Sequence, residues 1–214
     1  MQPLFGASLV LALAFSAPPP AEEAFTYSPY YPMQVGTTWN YKSGESKFTV
    51  TVKDHRRAGP QRLLCAHMET SQDGKVIGSE DVTVQDDWIV RVASDDKPIN
   101  PPVKILELDK GAPKSDVWPV NSKVEPQAGG AAQSLAGTFV EGTASADEKA
   151  KLGVGDPQAP VAAVSCQDLD ANGSKYSFKT YYVKEIGMAK QEITAGGLTV
   201  TLELEKDGFK AGSK

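Results

Sequence analysis

Two residues that could do nucleophilic chemistry lie close together in the sequence, Cys65 and His67. Side chains two positions apart share one face of a strand, so a thiol and an imidazole would be neighbours there. A thiolate beside a base is the arrangement of a cysteine nucleophile. Neighbours on one strand face seldom work as such a pair, and oxidation would silence the thiol, so the sequence does not favour this interpretation.

The second cysteine, Cys166, offers Cys65 a partner. In an oxidising compartment the two could form a disulfide, and closing so long a loop would stabilise the chain by about 4 to 5 kcal/mol in the chain-entropy model. Two buried free thiols are the alternative, because cysteine packs as a small apolar side chain. The sequence favours the disulfide and leaves the alternative open.

One segment resembles part of a calcium-binding loop. In DLDANG the side chains of Asp168, Asp170 and Asn172 stand at ligand spacing before Gly173. The twelfth position of such a loop requires a bidentate acid, and here it holds Lys179, whose charge would repel the ion. An Asn-Gly hairpin explains the same residues without a metal. These three residues therefore remain a weak metal candidate.

Other chemistry finds little support in the sequence. Only two histidines are present, His55 and His67, and the acidic pairs Asp86-Asp87 and Asp95-Asp96 resemble turn residues beside a strand. No nucleophile elbow, phosphate-binding glycine loop or dinucleotide motif occurs. We therefore expect no cofactor and a protein that is not an enzyme, with a carboxylate- or metal-dependent hydrolase as a distant alternative.

Composition narrows the classes of partner. The 214 residues are 40% hydrophobic, and 22 basic against 27 acidic side chains give a net charge of -5. A protein that neutralises phosphates would show a basic surplus, so nucleic acid is not expected as a partner. A chain of this length can bury one core without help from metals.

The amino terminus indicates export. Residues 4–17 form an uncharged apolar run with small residues at its end, followed by Pro18-Pro19-Pro20. The run is too short to span a bilayer and fits a secretory signal peptide over residues 1–17, cleaved after Ser16 or Ala17. A buried terminal strand or helix is the alternative. We expect a periplasmic or extracellular protein, soluble after cleavage, without a transmembrane segment in the mature chain.

In the rest of the chain, apolar and polar residues alternate as they do in β-strands. Apolar side chains occupy every second position in the segments 47–53, 88–92, 176–182 and 198–205. This period predicts half-buried strands, and Asp73-Gly74, Asn172-Gly173 and Gly196-Gly197 predict tight hairpins between consecutive strands. The one helix candidate is SADEKAKL, where Ser145 and Glu148 form a capping box. The sequence thus predicts an all-β antiparallel meander with at most one or two short helices.

The predicted organisation is a single domain. A Pro-rich flexible spacer covers residues 18–28, the β domain covers 29–206, and a flexible tail covers 207–214. A long excursion rich in Gly, Pro, Ala and Ser, with one short strand at its centre, interrupts the domain at about 110–137.

Two segments of the mature chain resemble a known group. The opening YYPMQVGTTWNY has Tyr31-Pro32, Gly36 and then Trp39-x-Tyr41, and a late segment reads TYYVKEIGMAKQE after the strand APVAAVSC. They resemble uncharacterised bacterial exported proteins and lipoproteins. The resemblance implies one strongly curved antiparallel sheet, a half-barrel or open barrel similar to that of periplasmic lipoprotein carriers. It implies no catalytic residue, and the lipidated cysteine of the lipoproteins is absent here.

These observations favour an exported, non-catalytic binding protein. A curved sheet with large apolar side chains on one face could hold a lipid, a lipopeptide or an envelope protein. A structural module of the cell envelope is the alternative. The residues predicted to face a ligand are Trp88, Val90, Val92, Tyr176, Phe178 and Tyr182.

Overall fold

The residues that the structure describes form thirteen strands and one short helix. The computed structural model describes residues 25–109, 112–113, 115–126, 131–153 and 158–213. The strands are β1 (Thr38–Ser43), β2 (Ser46–Ala58), β3 (Leu63–Gln72), β4 (Lys75–Gln85), β5 (Trp88–Ser94), β6 (Lys97–Asp109), β7 (Ala112–Pro113), β8 (Val117–Val124), β9 (Gln133–Thr143), β10 (Val161–Ala171), β11 (Ser174–Val183), β12 (Gly187–Ala195) and β13 (Leu198–Lys210). The helix α1 (Ala146–Leu152) lies between β9 and β10. The all-β prediction is confirmed.

Local sequence explains why the chain turns where it does. The three predicted hairpins are confirmed: Asp73-Gly74, Asn172-Gly173 and Gly196-Gly197 all have positive φ and join paired strands. Both acidic pairs, Asp86-Asp87 and Asp95-Asp96, also adopt positive φ in the turns on either side of β5. Asp and Asn tolerate this left-handed conformation better than most residues, so the turns follow from their sequences.

The antiparallel sheet closes on itself. Neighbouring strands follow chain order from β1 through β6, then continue through β8 to β13, and β13 returns to pair with β1. Pairing of β5 with β6 completes a ring of twelve strands, and β7 adds a short ladder to β6. A half-barrel or open barrel was expected. The structure has the expected curved antiparallel sheet, closed into a barrel.

One end of the barrel is sealed by the segment before β1. Tyr30 is 1% exposed and Met33 is 0% exposed, and both belong to the main core. The Tyr31 ring packs against Trp39 and Tyr182. We call residues 25–37 the plug. The hairpin tips that join β1–β2, β3–β4, β5–β6, β10–β11 and β12–β13 lie at the opposite end, because each odd turn of a meander falls on the same side.

Two smaller apolar clusters lie outside the main core. One groups Cys65 with Val90 and Val92, and the other groups Tyr181, Val183 and Ala189 with Leu152 of α1. The capping box of α1 is formed as predicted: Ser145 is the N-cap, and the Glu148 carboxylate accepts a hydrogen bond from the Ser145 backbone N–H. The helix therefore covers part of the outer surface of the sheet.

Two parts of the predicted organisation need correction. The excursion at 110–137 contains all of β8, which is the one short strand predicted at its centre, and also the start of β9, which was not predicted there and forms a regular ladder with β8. The tail predicted over 207–214 begins later, because β13 continues to Lys210 and pairs with Thr38. The predicted signal peptide, residues 1–17, lies outside the described residues.

Candidate functional site

Described residues of the barrel interior line two cavities, which we call cavity A and cavity B. Cavity A has a volume of about 460 Å³ and lies against β1–β5 and β11–β13. Cavity B has a volume of about 380 Å³ and lies against β5, β6 and β8–β12. Small-molecule sites span roughly 300 to 1,000 Å³, so each cavity can hold a ligand of that class.

The two cavities differ in chemistry. The wall of cavity B is mainly aliphatic and aromatic: Ile99, Val103, Ile105, Val120, Leu135, Phe139, Val164, Leu169, Tyr176, Phe178 and Ile193. Cavity A also has aromatic walls, yet it includes the side chains of Thr70, Glu80, Ser94 and Asp95. An apolar segment would therefore prefer cavity B, and polar groups would prefer cavity A.

Three side chains contact both cavities and form the partition between them: Arg91, Tyr182 and Gln191. Arg91 comes from β5, whereas Tyr182 and Gln191 come from β11 and β12 on the opposite wall. The partition thus crosses the barrel interior and places a guanidinium among apolar walls.

The charge of Arg91 is balanced by Glu80 on the adjacent strand. Arg91 Nε lies 2.5 Å from Glu80 Oε2, and the Tyr31 hydroxyl donates a 3.2 Å hydrogen bond to Glu80 Oε1. No other hydrogen bond or ion pair joins Arg91 to a described residue. Both carboxylate oxygens are therefore engaged, while the terminal nitrogens of Arg91 keep their donors. The Arg91 side chain is 40% accessible, and that surface faces the cavities it lines.

The tyrosines around the partition stay protonated. Burial raises the pKa of Tyr31, Tyr41 and Tyr182 above the ordinary value, and the Glu80 carboxylate adds to the effect for each of them. The Tyr41 hydroxyl donates to the Met188 carbonyl at 2.8 Å. The Tyr182 hydroxyl makes no hydrogen bond with a described residue. It is therefore a neutral donor at the cavity wall.

Both cavities reach the surface at the end of the barrel opposite the plug. Ile77, which lines cavity A, is 55% exposed, and Ile193, which lines cavity B, is 38% exposed. Val76, Leu198 and Val200 add further exposed apolar surface on the same hairpins. The alternation in 198–205 predicted one buried apolar face for this strand, but Leu198 and Val200 at its start are 77% and 56% exposed. We call this group the apolar rim.

Three of the six residues predicted to face a ligand line a cavity. Tyr176, Phe178 and Tyr182 all contribute to cavity B, together with Thr180 between them. Val90 and Val92 lie in the outer cluster with Cys65, while Trp88 packs edge-on against Trp118 beneath Lys104. Both faces of β5 are buried at its centre, so the alternation in WIVRV could not show which face looks inward.

The predicted disulfide is corrected by the structure. Cys65 and Cys166 are both free thiols. Cys65 on β3 packs in the outer cluster and Cys166 on β10 packs in the main core, and five strands separate β3 from β10 in either direction around the ring. A disulfide needs Cα atoms within about 7 Å, which opposite walls do not provide.

The residues of the calcium candidate are engaged with protein donors. The Gly173 backbone donates to Asp170 Oδ1 at 2.6 Å, and Lys175 Nζ lies 3.0 Å from Asp170 Oδ2. Asn172 Oδ1 accepts from the Ser134 backbone at 2.7 Å. These contacts are those of a hairpin turn. Asp168 belongs to the same hairpin, but it is not in the group of possible metal ligands that the described residues form.

That group is His67, Asp81 and Asp96 on the outer surface of the barrel. Arg56 occupies the position between the carboxylates: it donates to Asp81 at 2.8 and 2.9 Å and to Asp96 at 2.5 Å. His67 Nδ1 lies 3.0 Å from Asp81 Oδ1. The guanidinium supplies the positive charge that a metal would bring, so the cluster is an ion-pair network that ties β2, β3 and β4 to the β5–β6 turn.

The acidic residues considered for hydrolysis do not meet. Asp168 and Asp170 lie at the hairpin end of β10, whereas Asp86 and Asp87 form the β4–β5 turn at the plug end. General acid and base carboxylates must flank one bond at about 5 to 9.5 Å. Opposite ends of the barrel cannot provide this.

Sequence reasoning missed the partition residues Arg91 and Gln191, the Glu80 carboxylate that pairs with Arg91, and the sealing role of Tyr31. Arg91 follows two buried apolar residues, and a single arginine within an apolar strand was the available signal. The orientation of the Arg91 side chain depends on β-bulges in the pairing of β5 with β4 and β6, and the sequence alone does not predict these bulges.

Comparisons with known proteins identify the fold. No protein-family model matches the chain, and no curated protein matches it. A crystal structure described as a "putative lipoprotein" from Parabacteroides distasonis ATCC 8503 is similar over 88% of this chain and 100% of its own, with 13% identity and a TM-score of 0.51. The chain therefore shares its fold with a lipoprotein-like β protein. Among the described residues, no helix is long and apolar enough to cross a membrane.

Proposed function

We propose that this protein is an exported, non-catalytic binding protein that holds an acyl chain inside its barrel. The supporting observation is a pair of interior cavities that reach the surface between exposed apolar side chains and end at a sealed plug. Apolar walls in cavity B favour a hydrocarbon chain, and the rim gives such a chain an apolar entry from a membrane or a carrier.

Two further observations support export and binding. The amino terminus has the composition of a signal peptide, and the fold resembles that of a lipoprotein-like β protein. The acidic and histidine side chains considered for catalysis are engaged in turns and ion pairs; Asp95 lines cavity A, where it accepts a hydrogen bond from the Ser79 backbone at 2.9 Å.

Titration with Nile red, a neutral apolar fluorophore, tests the proposal. We expect saturable binding with a blue-shifted emission, and displacement by long-chain lipids. Leu135→Trp, which adds bulk at the wall of cavity B, should weaken binding about ten-fold or more.

Thr138→Trp is the matched control, because Thr138 lies on the same strand but on its outward face. It should leave Nile red binding unchanged. Equal binding by the wild type and Leu135→Trp, or the absence of saturable binding in the wild type, would reject the interior as the binding site.

A further inference from the structure

The partition contributes a polar group to a site that is otherwise built for hydrocarbon. Arg91 offers its terminal N–H donors to both cavities, and the Tyr182 hydroxyl adds a further donor on the opposite wall. Arg91 and Tyr31 each engage one oxygen of Glu80, which lines cavity A but not cavity B. Gln191 donates from Nε2 to Thr180 Oγ1 at 2.9 Å and contributes an amide oxygen. Donors from Arg91 and Tyr182 therefore outnumber acceptors at the partition, and they call for an acceptor on the ligand.

The charge of the partition decides which acceptor fits. Arg91 and Glu80 form a neutral pair, so a ligand anion at Arg91 would meet the repulsion of Glu80 close by, which offsets most of the attraction. The anion would also lose its hydration on entering an apolar interior, which is costly unless the protein supplies a net opposite charge. A carbonyl oxygen accepts the same hydrogen bonds without either penalty.

From this geometry we infer that the site selects uncharged acyl compounds, in which the chain is joined to an ester or amide carbonyl, over free fatty acids. The chain lies in cavity B, its carbonyl accepts from Arg91 at the partition, and the remainder of the head group lies in the more polar cavity A. This inference rests on the proposed function, since it assumes that an acyl chain enters the barrel.

The test compares ligands of one chain length by displacement of Nile red at pH 8, where a fatty acid is ionised. A monoacylglycerol and an N-acyl amide should each bind at least ten-fold more tightly than the fatty acid, and their ratio tells whether the ester or the amide is preferred. If Nile red and every lipid fail to bind, the proposed function fails. If the fatty acid binds as well as the neutral compounds or better, only the present inference fails.

Two variants show whether the Arg91–Glu80 pair causes the selection. Glu80→Gln leaves the guanidinium without its counter-charge, so preference should shift toward the fatty acid by ten-fold or more. Arg91→Met keeps the side-chain length but removes the donors, so the neutral acyl compounds should lose more affinity than Nile red does. Unchanged selectivity in Glu80→Gln would contradict the inference. Should either variant fail to fold, the comparison among ligands on the wild-type protein still decides the matter.

Discussion

At the scale of single residues, Arg91 is the charged side chain that lies between the two cavities of the barrel interior. It projects from β5 among buried apolar neighbours, and its accessible surface faces the cavities. A charged group in such a place is tolerated because Glu80 lies 2.5 Å away and is itself fixed by the Tyr31 hydroxyl. The ion pair therefore links β4, β5 and the plug.

Glu148 gives a prediction about pH. Bonds from Lys179, the Ser145 backbone and Tyr181 lower the pKa of Glu148 to about 2, against an ordinary value of 4.5. A lowered folded-state pKa stabilises the fold above the unfolded value, and that stability is lost as pH falls from about 4.5 to about 2. We expect Glu148→Gln to cost about 1 kcal/mol at pH 7, because water screens this partly exposed site.

Thermal unfolding of Glu148→Gln and the wild type between pH 7 and pH 2 measures this effect, and the difference between them should shrink below pH 4.5. Asp147→Asn, on the same helix, is the control and should show a smaller pH dependence. A difference that stays constant down to pH 2 would contradict the assigned role of Glu148.

The cysteines give a prediction about reactivity. Burial, aided by the charge of Asp81, raises the pKa of Cys65 to about 12, so the thiolate that reacts with alkylating reagents is scarce at neutral pH. Without reductant, we expect no rapid reaction of the native protein with a thiol reagent at pH 8. After denaturation two thiols per chain should react. Thiols that appear only after reduction would show the two residues to be bonded.

At the scale of elements, the plug is the segment whose role is least evident from its sequence. Residues 25–37 form no regular strand, yet Tyr30 and Met33 are among the most deeply buried side chains of the core. The carbonyl of Met33 lies 2.8 Å from His55 Nε2, which ties the segment to β2. The plug closes the end of the barrel opposite the apolar rim.

Shortening a plug side chain should therefore destabilise the whole domain. Met33→Ala removes a fully buried side chain, and such changes cost about 2 to 5 kcal/mol. Val35→Ala, in the same segment but 40% exposed, should change stability by less than about 1 kcal/mol. Denaturant unfolding of both variants measures this, and equal midpoints would show that the plug does not belong to the core.

Elements governed by local chemistry were predictable from the sequence. The hairpins follow from Asp-Gly, Asn-Gly and Gly-Gly pairs, and α1 follows from the capping box of Ser145 and Glu148. Features that depend on distant pairing were not predictable. Closure of the barrel requires β5 to pair with β6 across two register shifts. The segment 110–137 joins the sheet through the pairing of β8 with β6 and with β9.

At the scale of the whole molecule, closure turns an apolar sheet face into an enclosed site. An open sheet would expose its concave face to water, whereas the ring of twelve strands leaves access at the hairpin end. Half of the predicted ligand-facing set, Tyr176, Phe178 and Tyr182, lines this interior. The partition could not be foreseen, because it joins β5 to strands on the opposite wall.

Native mass spectrometry of the purified full chain tests the central claim, that the barrel interior holds an acyl chain. We expect the wild type and Thr138→Trp to bind one molecule of a long-chain monoacylglycerol per chain, and Leu135→Trp to lose most of this adduct. An adduct of equal abundance in all three proteins, or none in the wild type, would contradict the account.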